Sequence, residues 1–396
     1  MNLTTLPSLI IRPAMSLLTI AAIFFAHSAM ARDAGQEAAD PLRVLAENLR
    51  PLNGNEDIVP RYNLSDRMER YGVPGVAIAV LKNRKVVHVG GFGVLQAGGI
   101  EAVDENTLFS VGSVSKVAAA AMVLKLQAGG LLDVDRDVRE YLRSWKMPTS
   151  PGNAPVTLRL ILSHTAGFNI HGFGDFSPGA ALPSVYDTLN GSVPATHAPL
   201  RFLSKPGTRY RYSGGGYTLA QLVMADLTQQ GFPALAREIL FEPLGMTRSS
   251  FVNPLPADFV NIAKAHNGQG RPVALPRGYE AMPEMAASGL WTSAAELGQL
   301  VATLIESHRA PGGYLPQPIA RDMMTKVNPS EHGIGPRIEG VGASRLFQHG
   351  GANDSYRAWI EGHLATGDGL VVLTNGTRGH ELYREIRKAA ADVFDW

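Results

Sequence analysis

The chain has 396 residues, 45% of them hydrophobic and 18% charged, which is enough apolar content for a sizeable core and argues against disorder over its bulk. Its 36 basic residues nearly balance 35 acidic ones, so charge gives no reason to expect nucleic acid or an anionic membrane as a partner. It contains no cysteine, which excludes disulfides, thiolate chemistry, cysteine metal sites and a lipid anchor on an N-terminal Cys.

Residues 1–31 read as a secretion signal. Arg12 precedes an apolar stretch from about Met15 to Ala26, and Ala29-Met30-Ala31 supplies small residues for cleavage. The stretch is short for a spanning helix of ~20 residues, although an uncleaved anchor is the alternative. An exported protein without cysteine suits a bacterial periplasm or the exterior, with no stable membrane anchor. Residues 32–60 are polar and mixed, with one short amphipathic helix around Leu42–Leu49.

Val76–Leu81 and Lys85–Val89 are β-rich runs separated by Lys82-Asn83-Arg84, the pattern of a hairpin. Gly90, Gly91 and Gly93 do not complete a dinucleotide loop, because Gln96 occupies the last glycine position. A helix then runs from Ser113 through an Ala-rich stretch to Gly129-Gly130. Asp133-Val134-Asp135-Arg136-Asp137 lacks the glycine and distal glutamate of a calcium loop and reads as a solvated turn. Val156–Ser163 is a short helix ending at His164-Thr165-Ala166-Gly167. Residues 167–210 form a long Gly-, Pro- and Ser-rich connection of the kind that shapes binding sites. Helices follow after Tyr217 and over about Pro233–Leu240, and residues 251–288 are irregular. Ser293 caps another helix, with Glu296 three residues on. Leu346–Gln348, Tyr356–Glu361 and Gly369–Thr374 read as strands, and a last helix spans about Glu381–Val393.

This order predicts an α+β fold. One antiparallel sheet is built from both chain ends and flanked by helices, with an inserted helical lobe. The sheet lobe takes about 60–120 and 285–396, the helical lobe about 121–284, and the site lies in the cleft between them.

Ser113-Val114-Ser115-Lys116 carries the chemistry. Positions i and i+3 share a helix face, so the Ser113 hydroxyl and the Lys116 amine can meet. A serine hydroxyl is a weak nucleophile until a base takes its proton, and a buried lysine with a lowered pKa can be that base. Of nine lysines, only Lys116 has a serine three positions earlier. Tyr212, just before the glycine-rich turn Gly214-Gly215-Gly216, is a candidate proton relay. His349-Gly350-Gly351, at the end of a predicted strand, lets a substrate approach the backbone closely. Read singly, Tyr212 reads as a core tyrosine with its hydroxyl bonded to backbone, and His349 as a surface or structural histidine.

Together these pieces resemble the serine β-lactamase and penicillin-binding protein superfamily. The resemblance is to the branch holding class C β-lactamases, D-alanyl-D-alanine carboxypeptidases, D-aminopeptidases and related esterases. It runs from about residue 60 to the C-terminus, through Phe109–Lys116, Leu162–Gly167, Pro206-Gly207, Tyr212-Ser213, Ser288-Gly289-Leu290 and His349-Gly350-Gly351. It implies that Ser113 is the acylated nucleophile, Lys116 its partner in proton removal, and Tyr212 the group that takes the proton or passes it to the leaving group. It implies an oxyanion hole from the amides of Ser113 and Ala352, with His349, Gly350, Gly351 and Gly214 around the substrate. The His164 segment is implied to be structural. Two positions depart from the family. Gly214 stands where a Tyr-x-Asn element ends in asparagine, and His349 replaces a charged lysine, so anchoring of a substrate carboxylate is expected to be weak and pH-dependent.

The expected activity is that of an exported serine hydrolase acting on amide, β-lactam or ester bonds of a small molecule or peptide. A D-peptidase or esterase without useful β-lactam turnover is the first alternative, and a non-catalytic acylated sensor the second. No cofactor is expected. No metal is expected either, since His380-Glu381 lacks a second histidine at ligand spacing.

Overall fold

A computed structural model describes residues 40–52 and 60–396. The expected signal segment, residues 1–31, lies outside the described residues. Among those described, no helix is long and apolar enough to cross a membrane.

The sheet has six strands. Gly75–Lys82 (β1) and Lys85–Gly93 (β2) form the expected hairpin. Its turn residues Asn83 and Arg84 both have positive φ, of 46° and 68°, which matches the twist of the flanking strands. Phe109–Ser110 (β3) and Trp291–Thr292 (β4) make a separate two-stranded pair. Arg337–Glu339 (β5), Leu346–Ala352 (β6), Arg357–His363 (β7) and Gly369–Thr374 (β8) complete the main sheet. Its order is β2-β1-β8-β7-β6-β5, antiparallel throughout. The N-terminal hairpin thus pairs with the last strand, as an α+β sheet built from both chain ends requires.

Period-two alternation places apolar residues on both faces. Ala77, Ala79 and Leu81 of β1, with Val371 and Leu373 of β8, join the main core with Leu297 and Val301 of the helix Ala294–Arg309. Val76, Ile78 and Val80, with Leu370 and Val372, join a second core under Leu45, Leu64, Leu382 and Ile386. That second layer combines the helices Pro41–Ala46, Leu64–Tyr71 and Gly379–Val393. It also holds an ion cluster: Arg67 donates to Glu385 at 2.5 and 2.7 Å, and the Tyr71 hydroxyl donates to the same carboxylate at 2.7 Å.

The helix Ser115–Ala128 is buried on nearly every side, which explains its uniform Ala-rich apolar surface. It runs unbroken across residue 120, where the sheet and helical lobes were expected to part. Residues Asp40–Trp396 form one compact unit.

The candidate active site

Four segments converge on Ser113. The chain enters through a short 3-10 turn, Gly112–Val114, that leads directly into the helix Ser115–Ala128. Gly112 has φ +49° and packs against β6, where a side chain would meet the Ala352 nitrogen at 2.6 Å. Gly351 is as confined, since a Cβ there would lie 1.9 Å from the Val111 carbonyl oxygen. Both positions therefore require glycine, and their contact brings the end of β6 against the serine turn. Among the described residues the outer edge of β6 has no strand partner beyond Gln348, because β5 pairs only with Leu346–Gln348. The run His349–Ala352 is thus a free strand edge beside Ser113.

The second support is the short helix Met285–Ser288 and the residues after it. Val111 N–H donates to Leu290 O at 3.1 Å. The Ser115 hydroxyl donates to Gly112 O at 2.6 Å and accepts from Leu290 N–H at 2.9 Å. Lys116 lies at the centre and is 1% exposed. Its Nζ is 3.0 Å from Ser113 Oγ and donates to Ala287 O at 2.6 Å. Burial lowers its pKa from 10.5 to about 7. A lysine in this state is half neutral near pH 7. With one N–H held by Ala287 O, the lone pair of the neutral amine can face the Ser113 hydroxyl.

Tyr212 is the third piece. Lys116 Nζ lies 5.0 Å from the centre of its ring. Burial pushes the Tyr212 phenol above its ordinary pKa, against a smaller opposing effect from hydrogen bonding with Ser113. At neutral pH this group is a protonated donor. Tyr212 precedes the helix Gly214–Thr228, which Ser213 caps by accepting Gly216 N–H at 3.1 Å.

His164 holds Tyr212 in place, a role that sequence reasoning missed. Its carbonyl accepts Arg211 N–H at 2.7 Å, and its Nδ1 accepts Ser213 N–H at 3.1 Å. Its ring stacks on Tyr212 with centroids 4.1 Å apart. The residues on both sides of Tyr212 and the ring itself are therefore clamped by one residue, through its backbone carbonyl and its imidazole. The left-handed φ of His164, +61°, marks the tight turn that makes this possible. The signal was the position of His164 at a helix end before Thr165-Ala166-Gly167.

His349 and His332 complete the wall. His349 is buried, and desolvation lowers its pKa to about 3. It is neutral across the physiological range, so the pH-dependent carboxylate anchoring expected from an ordinary histidine has no titration near pH 6.5 to supply it. His332, unanticipated from sequence, is likewise held down to about 4 by burial. Ser113, Lys116, Tyr212, His349, Gly350, Gly351 and Ala352 all line one cleft of about 750 Å3. Gly214 does not line it. Its N–H is given to His171 O at 2.9 Å, and a side chain there would run into Phe173 at 2.7 Å. Among the described residues, no group of three or more His, Asp or Glu is placed to hold a metal ion.

A family model described as Beta-lactamase matches residues 61–394. The chain belongs to the Beta-lactamase family. Its members include serine hydrolases whose names are those of carboxypeptidases and esterases. It is similar to Protein flp of Staphylococcus aureus (strain N315), 26% identical over 184 residues that make up 46% of this chain and 36% of that one. The match thus spans little more than a third of the staphylococcal protein. It is similar over a longer stretch to Esterase EstB of Burkholderia gladioli, 28% identical over 305 residues, 69% of this chain and 74% of that one. Among solved structures, D-alanine carboxypeptidase AmpC from Burkholderia cenocepacia superposes with a TM-score of 0.65 at 21% identity, covering 84% of this chain and 96% of that one. That likeness establishes the α+β fold of β-lactamases and transpeptidases for this chain.

Proposed function

We propose that the protein is an exported serine hydrolase that acts through an acyl-enzyme on Ser113, with small esters or amides as substrates. The observation that carries the reading is the buried Lys116 amine 3.0 Å from Ser113 Oγ, with its pKa lowered to about 7. A base whose pKa sits near the working pH is the efficient choice for removing a hydroxyl proton.

In this reading the neutral Lys116 amine takes the Ser113 proton as Oγ bonds to the substrate carbonyl carbon. The Ser113 and Ala352 N–H groups receive the oxyanion, an interaction typically worth ~10²–10³ in rate per donor. Tyr212, being protonated, gives its hydrogen to the leaving atom as the bond to carbon breaks, and Lys116 returns a proton to the phenolate. Water then repeats the sequence to release the acid. The raised phenol pKa favours Tyr212 as the donor and Lys116 as the acceptor of the serine proton. Similarity to a protein named as an esterase supports ester substrates. An uncharged His349 gives a substrate carboxylate no cation at that position, which further favours esters over β-lactams. Residues 1–31 support placement in the periplasm or outside the cell.

A panel of p-nitrophenyl esters, nitrocefin and D-alanyl peptides tests the reading. The esters should show a burst followed by steady turnover. Stoichiometric labelling by a fluorophosphonate with no turnover of any panel member would instead make the protein a sensor.

If His164 clamps Tyr212, His164→Ala should lower kcat for the best ester by ~10–100-fold at similar KM, because a small misplacement of a reacting group has that cost. His164→Asn should recover most of it. Asparagine tolerates the left-handed backbone and retains an acceptor for Ser213 N–H. Equal losses in both variants would show that the imidazole acts in some other way.

A further inference from the structure

His332 and His349 of the cleft wall, and His164 stacked on Tyr212, have backbone partners that settle which ring nitrogen carries hydrogen. Carbonyl oxygens only accept. The Nδ1 of His349 lies 2.7 Å from Gly350 O, so it must be the donor. The Nδ1 of His332 lies 3.1 Å from Gly335 O and must be a donor for the same reason. Both rings are neutral, so each Nε2 is a lone-pair acceptor. His164 has the opposite tautomer, because its Nδ1 accepts the Ser213 N–H.

The two acceptors are neighbours. The rings of His332 and His349 are 5.9 Å apart, and each is close to Tyr212, at 6.3 and 6.4 Å. Both line the cleft that contains Ser113. The Nε2 of His349 is buried and has no hydrogen-bond partner among the described residues. Lys116 Nζ is held by Ala287 O and Ser113, and the Nδ1–H groups of His332 and His349 are given to backbone carbonyls. A buried acceptor without a donor is costly, and native sites rarely leave one unfilled when occupied.

The charges around the pair narrow what can fill it. The cleft is lined by Lys116, Arg337 and Arg357 and by no carboxylate, which disfavours an ammonium group. A carboxylate has no hydrogen to give. What remains is a neutral donor.

We propose that His332 and His349 form an acceptor subsite selecting an uncharged group with N–H or O–H donors near the scissile bond, a primary carboxamide being the simplest. The proposal rests on the reading of Ser113 as nucleophile only for locating that bond. Two acceptors match a group with two hydrogens, which suits –CONH2 better than its acceptor-only counterpart –COCH3.

Calorimetry on the full-length Ser113→Ala protein tests this without turnover. Methyl 3-carbamoylbenzoate and methyl 3-acetylbenzoate have nearly the same shape, and neither is charged. The carbamoyl ester should bind tighter by about tenfold, the scale set by leaving a buried polar group unpaired. Adding His349→Phe should bring the two within about twofold of each other. His332→Phe provides the same comparison should the first variant fail to give a native melting curve. Equal affinities, tighter binding of the acetyl ester, or no binding of either would overturn the subsite. A carbamoyl preference together with undiminished hydrolysis by Ser113→Ala would leave the subsite standing and remove the nucleophile reading alone.

Discussion

Ser113→Ala should reduce ester turnover by about 10⁴-fold or more, the loss seen when the nucleophile of an acyl-transfer site is removed. Binding should survive, because the hydroxyl contributes one contact among many in the cleft. The residual rate should come from the two proposed oxyanion donors and from orientation, both independent of Oγ. Fluorophosphonate labelling should disappear in parallel. The fold should be intact: Ser113 accepts a hydrogen bond from Lys116, while the turn itself is held by Ser115 and Leu290. Rates within about tenfold of the unmodified protein would remove Ser113 from the mechanism, since no other hydroxyl can replace a lost nucleophile at that efficiency. Ser288 also lines the cleft, so a Ser288→Ala control should retain most of the activity.

Much of the sheet was legible because its strands alternate or run apolar for six to eight residues between turn residues. β1, β2, β7 and β8 all follow this rule. β5 was missed because three residues, Arg337-Ile338-Glu339, carry too little periodicity to register. The helix Leu64–Tyr71 was missed for a different reason. Its inward face includes Arg67, which looks solvent-facing in isolation and is buried only because Glu385 and Tyr71, one of them 318 residues away, satisfy it. No local pattern carries that information. The helix Val185–Asn190 lay hidden in the long connection although its capping box, Ser184 with Asp187, was visible in the sequence.

The candidate site divides the same way. Ser113 lies in the 3-10 turn that runs directly into the helix of Lys116, so spacing alone brought them together. Tyr212 and His349 could be tied to them only through resemblance, because their approach depends on backbone contacts between Gly112 and β6 and on the clamp at His164. His332 had no signal. It enters through the short turn before β5, an element that was itself invisible. Environment also escaped the sequence. The identity of His349 suggested a group titrating near neutrality, whereas its burial holds it neutral and turns a weak cation into a plain acceptor.

Lys116 shows the same dependence on burial, with two measurable consequences. The first is a pH profile. If the neutral amine is the base, kcat/KM should be low below pH 6, rise through about 7 and level off above pH 8, because deprotonation creates the active form. A rate that is flat from pH 5 to 8, or one that falls as pH rises through 7, would contradict the assignment. Lys116→Met should lose most of the rate, by ~10³-fold or more, and lose the rise near pH 7 with it.

The second consequence is for stability. The folded pKa of Lys116 is depressed below its unfolded value of 10.5, so the unfolded chain binds the extra proton between about pH 7 and 10.5. Unfolding free energy therefore gains from this group as pH rises through that window, and the penalty is largest below pH 7, where the buried amine must be charged. Replacing Lys116 by the unbranched, apolar methionine removes the penalty. It also loses the hydrogen bond to Ala287 O, leaving that carbonyl unpaired at a cost of about 1–3 kcal/mol. The relief from uncharging a fully buried lysine is on the order of 4 kcal/mol near neutral pH. The balance favours the variant, so Lys116→Met should melt higher than the unmodified protein at pH 6. The advantage should shrink towards pH 10, and denaturant melts at the two pH values measure it. A variant less stable at pH 6 than at pH 10, relative to the unmodified protein, would mean that the charged amine is better solvated than its burial indicates. An inactive variant that is the more stable protein would show that the fold gives up stability to keep a proton acceptor beside Ser113.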